Sequence, residues 1–254
     1  MMTELGGKGG CLCQPALSGE MRCPLIVRPN SEDVVTGNLF GVLKSLNPRW
    51  WLPDLLNRGL GTNRFRRQIF RRLRIELWQK QPRFPQELIE WREGNTEVDV
   101  IIRWENPATT VFIEMKYGSP VSATTVNNNG QNWPSDQLIR NARVGLHECG
   151  WYPRRELFDI PKRDFILLLV SPTSDHPLVH QYRDADQMRA AIPGGEQLVD
   201  LPKSPFIGEL SYGEIAEILQ QQTTWFNRTE RLLTEELCRY LTHKLDTRPG
   251  KNGR

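Results

Sequence analysis

The sequence predicts an α/β fold in which one central β-sheet is surrounded by helices. Three observations predict it. Apolar residues recur with helical spacing after residue 31, change to strand-like runs between residues 88 and 117, and return to helical spacing after residue 212. The unbroken apolar run at residues 165–170 is typical of a strand buried on both faces. With 254 residues, of which 38% are hydrophobic, the chain can bury one sizeable core.

The composition narrows the class of protein. No apolar stretch approaches the roughly 18–20 residues needed to span a bilayer. The net charge is only +3, and the 33 basic residues comprise 25 Arg and 8 Lys. Arginine binds phosphate in a bidentate manner, so this bias is compatible with a nucleic-acid partner. A GC-rich genome, which favours arginine codons, would produce the same bias. The glycines lack a P-loop context, so no ATPase activity is expected.

The chain divides into three predicted parts. Residues 1–30 are rich in Gly, Cys and Pro without periodicity and predict a loosely ordered arm. Residues 31–245 predict a single domain, and residues 246–254 predict a flexible tail. No secretory signal is found at the start, so the five cysteines are expected to be reduced thiols in the cytoplasm. Zinc bound by Cys11, Cys13 and Cys23 is disfavoured because no fourth ligand lies nearby.

The first elements predicted are two helices. Ser31 is a suitable N-cap, and the acidic residues that follow suit the first turn of a helix that ends before Pro48. A second helix is predicted over residues 62–74, where apolar residues recur at 65, 69, 70 and 73. Its remaining positions are mostly arginines, namely Arg64, Arg66, Arg67, Arg71, Arg72 and Arg74.

Strands follow in the middle of the chain. Residues 88–91, 98–103 and 110–117 are rich in β-forming residues and are separated by turn residues. After a polar loop over residues 118–132, Ser135 and Asp136 open an amphipathic helix. Residues 165–170 form the buried strand, and residues 212–219 and 224–241 predict the closing pair of helices.

Two of these strands carry the residues with the clearest chemistry. Side chains alternate along a strand, so Val98, Val100 and Ile102 point one way and Asp99 the other. In the next strand Val111, Ile113 and Met115 point into a core, which leaves Glu114 and Lys116 on the opposite face. If the two strands form a hairpin, Asp99, Glu114 and Lys116 converge.

The convergence of two carboxylates and an ammonium suggests a metal-assisted reaction. Mg²⁺ prefers hard oxygen ligands, which Asp99, Glu114 and the carbonyl oxygen of Met115 can supply. Such a metal activates water and neutralises charge on a phosphate, while Lys116 can hold the attacking water, help to deprotonate it, or stabilise the pentacovalent phosphorane. Taken singly, each of these residues also fits a solvated strand face, so the joint pattern carries the hypothesis.

The joint pattern resembles the PD-(D/E)XK nuclease superfamily, whose members have the restriction-endonuclease-like fold. The resemblance covers roughly residues 31–170 and rests on Asp99 and on Glu114 with Lys116. Glu32 resembles the acidic residue of the first helix, and Gln137 resembles a Gln on the helix after the motif. The family's Pro before the Asp is replaced here by Val98.

The resemblance implies a three-layer core with a central mixed β-sheet flanked by helices. It also implies a Mg²⁺-dependent DNA endonuclease, with Mn²⁺ as a possible substitute, of prokaryotic restriction or anti-phage defence type. Metal would be held by Asp99, Glu114, Met115 and Glu32, and Gln137 would orient Lys116 or the backbone. Double-stranded DNA is the expected substrate, and a homodimer or a defence complex the expected assembly. The alternatives are a catalytically silent nucleic-acid-binding or assembly subunit and an RNA- or junction-specific nuclease.

A basic surface beside this site is also predicted. Its candidate phosphate-contacting residues are Arg64, Arg66, Arg67, Arg71, Arg72 and Arg140. The alternative is that these arginines form an ordinary solvated helix face.

Overall fold

The computed structural model of this protein describes residues 31–89, 94–122, 125–126, 132–133, 136–153, 161–198 and 200–247. The predicted N-terminal arm lies outside the described residues, as do Cys11, Cys13 and Cys23 and residues 248–254 of the predicted tail. Cys149 and Cys238 are buried free thiols. None of the described helices combines the length and the apolarity needed to cross a membrane.

A five-stranded mixed sheet forms the centre of the protein, with the strand order β1-β2-β3-β6-β7. Strands β1, β2 and β3 are antiparallel neighbours, whereas β3, β6 and β7 run parallel. The two short strands β4 and β5 form a separate pair. The strands are β1 Arg71–Gln81, β2 Thr96–Glu105, β3 Thr109–Met115, β4 Thr125–Val126, β5 Asn132–Trp133, β6 Asp164–Ser171 and β7 Ile207–Ser211.

Helices cover both faces of this sheet. The α-helices among the described residues are α1 Glu32–Leu43, α2 Pro48–Leu60, α3 Gln137–Glu148, α4 Pro177–Arg183, α5 Ala185–Ala191, α6 Tyr212–Gln221 and α7 Arg228–Asp246. Helices α1, α2, α6 and α7 share one hydrophobic core with the sheet, and α3, α4 and α5 share another. The predicted α/β architecture, with helices flanking a central mixed sheet, is therefore confirmed at this level.

The elements with the strongest sequence signals form where they were predicted. Ser31 caps α1, with its hydroxyl accepting the Val34 N–H. Asp136 caps α3 in the same way, and β2, β3 and β6 cover the predicted strands to within two residues. One detail of the side-chain alternation is wrong: Val100 and Ile102 lie in the first core, but Val98 lies in the second.

The helix predicted over residues 62–74 is wrong. Residues 62–70 form turns and irregular structure, and the edge strand β1 begins at Arg71. Leu73, Ile75 and Leu77 alternate as in a strand, and Leu77 lies opposite Val100 of β2. Cross-strand pairing with β2 therefore prevails over the helical spacing that these arginine-rich residues suggest.

Three other predictions need correction. Pro48 does not end a helix but begins α2, behind the N-cap Asn47, because a proline in the first turn loses no helical hydrogen bond. The strand predicted at residues 88–91 is replaced by a short 3-10 helix at Gln86–Leu88, and residues 90–93 lie outside the described residues. The last helix begins at Arg228, with a capping box formed by Asn227 and Glu230, instead of at residue 224.

The strand directions bring the ends of four strands together at one edge of the sheet. Because β3, β6 and β7 are parallel, their carboxyl ends lie at the same edge. The amino-terminal end of β2 is at this edge too, since β2 runs antiparallel to β3. Ligands of open α/β sheets bind outside the carboxyl ends of the strands. Asp99, Glu114 and Lys116 all lie at this edge.

Candidate metal centre

Asp99 lies where strands β2 and β3 separate. The backbone pairing between the two strands ends with the pair Val100 and Ile113. Asp99 and Glu114 are the next residues of the two strands and lie just beyond this last pair. There the Asp99 carboxylate replaces a backbone partner, because its Oδ2 accepts the N–H of Met115 at 2.9 Å. The N–H and C=O of one strand residue point to the same side of the strand. The Met115 carbonyl is therefore also directed towards the side of β3 on which β2 and Asp99 lie.

Glu114 is held beneath helix α3. Its side chain is only 1% exposed, although the sequence suggested a face away from the core. The reason is that α3 covers that face with a second hydrophobic core. Glu114 Oε2 accepts a hydrogen bond from Asn141 Nδ2 at 2.7 Å, and Oε1 accepts one from Lys116 Nζ at 2.7 Å. Both oxygens of Glu114 are therefore fixed in position.

Lys116 connects this pair to helix α1. Its Nζ also donates to Glu32 Oε1 at 3.1 Å, and its carbonyl oxygen accepts the hydroxyl of Tyr212 at 2.6 Å. Glu32 is the first residue of α1, a position that favours a negative charge. Glu32 Oε2 accepts the N–H of Tyr117 at 3.1 Å and the hydroxyl of Ser119 at 3.2 Å. The start of α1 is thus bound to the segment that follows β3.

Three carboxylates meet at this point. Glu32, Asp99 and Glu114 each offer an oxygen, and these oxygens lie within 4.8 Å of one another. Burial and the charge of Glu114 raise the pKa of the Asp99 carboxyl to about 8. Burial likewise raises the pKa of Glu114, although Lys116 and Asn141 act in the opposite direction. When all three carboxylates are ionised, they exceed the single charge of the Lys116 ammonium, and this excess of negative charge on hard oxygen donors fits a divalent cation such as Mg²⁺.

The ammonium of Lys116 is stabilised by its surroundings. Burial by itself would lower the pKa of Lys116, but the charges of Glu114 and Glu32 outweigh it, and the net effect is a raised pKa. Lys116 is therefore charged at neutral pH. A charged lysine donates hydrogen bonds and attracts anions, but it cannot accept a proton.

Helix α3 contributes a residue that the sequence analysis missed. The predicted Gln137 is the first residue of α3, and its backbone N–H donates to the carbonyl of Ser122 at 3.2 Å. The side chain that contacts Glu114 from this helix is Asn141, one turn further along. Residues four apart share a helix face, so Asn141 could have been found from the position of Gln137.

The predicted nucleic-acid-binding arginines lie apart from this centre, with the exception of Arg140. Arg71 pairs with Glu105, six residues along β2 from Asp99, which corresponds to about 20 Å at about 3.3 Å per residue. Arg71 is therefore not adjacent to Asp99, and the contact of these arginines with phosphates stays a prediction. Arg64 donates to the carbonyl of Lys203 at 2.7 Å, while Arg66, Arg67, Arg71 and Arg72 are exposed.

Arg140 has a different environment. Its Nε donates to the Thr96 hydroxyl at 3.1 Å and its Nη2 to the Asn95 carbonyl at 3.2 Å. These bonds attach α3 to the start of β2, three residues before Asp99. Arg140 thereby helps to hold the strand that carries Asp99 against the helix that carries Asn141.

Comparison with known proteins gives no match: no family model, no curated protein and no solved structure is significantly similar to this chain.

The raised pKa of Asp99 predicts an unusual dependence of stability on pH. Between the ordinary pKa of 3.8 and the folded-state value of about 8, the folded protein binds more protons than the unfolded chain. The Asp99 contribution to the free energy of unfolding therefore falls as pH rises through this range, and it is constant above it. Mg²⁺ should remove this loss, because a bound cation takes the place of the proton.

The measurement is urea unfolding at pH 5.5, 7 and 8.5, with EDTA and with Mg²⁺, on the wild type and Asp99→Asn. We expect the stability difference between the two proteins to change with pH in EDTA and to change less in Mg²⁺. Parallel pH profiles in EDTA would show that Asp99 titrates at its ordinary pKa.

Proposed function

We propose that this protein is a metal-dependent nuclease of the PD-(D/E)XK type with a restriction-endonuclease-like fold. The single observation that carries the proposal is the meeting of the Glu32, Asp99 and Glu114 carboxylates around the ammonium of Lys116. The family pattern requires an acid on the first helix, an Asp on one strand, and Glu-x-Lys on the next. All of these residues converge at one sheet edge, although they are separated by up to 84 positions in the chain.

The residues suited to hold Mg²⁺ are Asp99, Glu114, the carbonyl of Met115 and Glu32. When bound, Mg²⁺ neutralises charge on the phosphate and lowers the pKa of water. Asp99 and Glu114 enter the site from two strands that the sheet holds rigidly, so their oxygens need little reorganisation. Asn141 keeps the Glu114 carboxylate in one orientation from the side of α3.

Lys116 supplies positive charge next to the scissile phosphate. Because its pKa is raised, it acts as a hydrogen-bond donor to the attacking water or to a phosphate oxygen, and not as the base. Hydrogen bonds fix Lys116 at its backbone and at the end of its side chain. Tyr212 donates to the backbone carbonyl, and Glu114 and Glu32 accept from the ammonium. This arrangement can stabilise the negative charge that grows on phosphorus oxygens when water attacks.

The test is incubation with plasmid DNA, linear DNA, single-stranded DNA and RNA in Mg²⁺, Mn²⁺ or EDTA. We expect cleavage in Mg²⁺ or Mn²⁺, none in EDTA, and none by Asp99→Asn. The exposed Asp186, changed to Asn, is the matched control. Metal binding measured by calorimetry addresses the silent-subunit alternative, because a pure scaffold binds neither ion. Absence of both cleavage and metal binding would remove the proposal.

The family resemblance also implies a DNA substrate and a role in prokaryotic restriction or anti-phage defence. The assembly that it implies is a homodimer or a defence complex. Sedimentation of the purified protein with and without duplex DNA tests the assembly. The substrate panel above separates DNA from RNA.

Neutralising the exposed arginines should weaken nucleic-acid binding without changing the chemical step. Arg71 lies about 20 Å from Asp99 along the sheet, and Arg66, Arg67 and Arg72 belong to the same exposed segment, so these arginines would contact phosphates that flank the cut. Each lost contact should reduce the slope of log K against log salt by about 0.9 on duplex DNA. The quadruple alanine variant is compared with a variant lacking the exposed Arg228, Arg231 and Arg239 of α7. An unchanged slope would mean that the segment faces solvent or another protein.

A further inference from the structure

A cavity opens directly on the candidate metal centre. It has a volume of about 340 Å³ and lies at the carboxyl ends of β3 and β6, between residues 116–121 and residues 169–176. Three of its lining residues, Lys116, Tyr117 and Ser119, also donate hydrogen bonds to carboxylates of the centre. A group bound in this cavity could therefore belong to the same molecule as a phosphate bound at Lys116.

The lining of the cavity suits a ligand with an apolar body and an anionic end. Val121, Leu169 and Pro172 supply apolar walls, whereas Thr173 and His176 supply polar groups. Lys116 places a positive charge at the end next to the metal centre. The described lining residues include no carboxylate, so the cavity does not favour a cationic ligand.

The hydrogen bonds of His176 make its ring a donor. Its Nδ1 accepts the N–H of Leu178 at 3.3 Å, and its backbone N–H donates to Glu209 Oε2 at 2.8 Å. In the neutral ring the proton is then on Nε2. Nε2–H can donate to an oxygen or ring nitrogen of a ligand in the cavity that His176 lines.

The size of the cavity favours a small ligand. Pockets for small ligands have volumes of about 300–1,000 Å³, and a cavity of about 340 Å³ is at the small end of this range, which suits one nucleoside better than a base pair. We infer that the cavity holds one unpaired nucleotide adjoining the scissile phosphate, so that the enzyme cuts single strands, frayed ends or mismatched positions in preference to intact duplex. This inference rests on the proposed nuclease function and specifies its substrate class.

The experiment compares three labelled DNA substrates of the same sequence in Mg²⁺: a single strand, a duplex with one mismatch, and an intact duplex. A paired nucleotide must first be unstacked and unpaired, so kcat/KM on the single strand should exceed that on the intact duplex by about tenfold or more. The mismatched duplex should be cut at the mismatch. Preference for the single strand over the mismatch distinguishes a single-strand nuclease from one that extrudes a nucleotide.

Two variants test the cavity itself. Thr173→Trp adds an indole at its rim, and it should reduce kcat/KM on the single strand by about tenfold or more. Thr229→Trp, on the exposed start of α7, is the matched control and should leave cleavage unchanged. His176→Asn keeps an N-cap for α4 but removes the Nε2–H donor, and it should raise KM more than it lowers kcat. We expect Mg²⁺ to raise the melting temperature of the wild type, and an equal rise in each variant would show that it is folded with an intact candidate metal centre.

The outcomes separate the two proposals. Equal cleavage of single strand and intact duplex, with Thr173→Trp without effect, would overturn the unpaired-nucleotide inference and leave the metal-dependent nuclease standing. Absence of cleavage on every substrate, together with absence of a Mg²⁺ effect on melting, would overturn both.

Discussion

We expect Asp99→Asn to abolish cleavage and, at the same time, to stabilise the metal-free protein. The loss follows because the substitution removes a charged oxygen from the ligand set formed with Glu114 and Glu32. Several kcal/mol of transition-state stabilisation depend on such a metal, so the rate should fall by about 10³-fold or more.

The gain in stability has a separate cause. In the metal-free protein Asp99 is half-buried beside Glu114, and this environment raises the pKa of Asp99 to about 8. A neutral amide removes the cost of burying or protonating this group, and it can still accept the Met115 N–H through its oxygen. At pH 7 in EDTA the free energy of unfolding should rise by roughly 1–3 kcal/mol.

Urea unfolding and single-turnover cleavage on the same preparations measure both effects. Asp186→Asn, an exposed aspartate at the start of α5, should change neither. An Asp99→Asn protein that cleaves at the wild-type rate would remove Asp99 from the site. One that is inactive but destabilised would mean that Asp99 has a structural role instead.

The second large effect is expected for Lys116→Ala. Metal and nucleic-acid binding should remain, because the carboxylates stay in place, but turnover should fall by about 10²–10⁴-fold as a positioned electrostatic group is lost. The variant should also titrate differently. Without the ammonium of Lys116, the pKa of Glu114 should rise further, and Mg²⁺ binding should become more dependent on pH.

The comparison with Lys116→Arg separates charge from shape. An arginine keeps the charge, but its planar guanidinium cannot take the place of a compact ammonium between Glu114 and Glu32, so little activity should return. Lys80→Ala, at an exposed position of β1, is the control. If Lys116 only balances the carboxylates, Lys116→Ala will bind Mg²⁺ more tightly and cleave at a near-normal rate, and the catalytic role is excluded.

Most of the site could be predicted from the sequence because its residues lie in elements with strong local signals. Asp99 and Glu114 are flanked by β-forming residues. Strand alternation alone places the side chain of Glu114 on the face of the sheet opposite to that of Met115. Glu32 follows a suitable N-cap, so the start of α1 was also predictable. Hairpin pairing predicted that Asp99, Glu114 and Lys116 converge, whereas the approach of Glu32 was expected only from the family resemblance, since sequence spacing does not bring Glu32 to Lys116.

Other parts of the fold could not be predicted in this way. The arginine-rich segment has helical spacing in its sequence, but β1 forms because β2 offers a partner for Leu77 and its neighbours. The start of α2 at Pro48 was missed because a proline is compatible with either the end or the beginning of a helix. In both places local preference is weak, and long-range packing decides the structure.

The sequence by itself determined the α/β class, the strands that carry Asp99 and Glu114, and the excess of negative charge at their ends. These follow from side-chain periodicity and charge, which are local properties of the chain. Only the tertiary structure decided that Glu114 is buried under α3, that Asn141 contacts it, and that Arg71 lies about 20 Å from Asp99. It also decided that a cavity adjoins Lys116. The physical reason is that burial, pKa and cavity shape depend on which elements pack together, and such contacts join residues far apart in the chain.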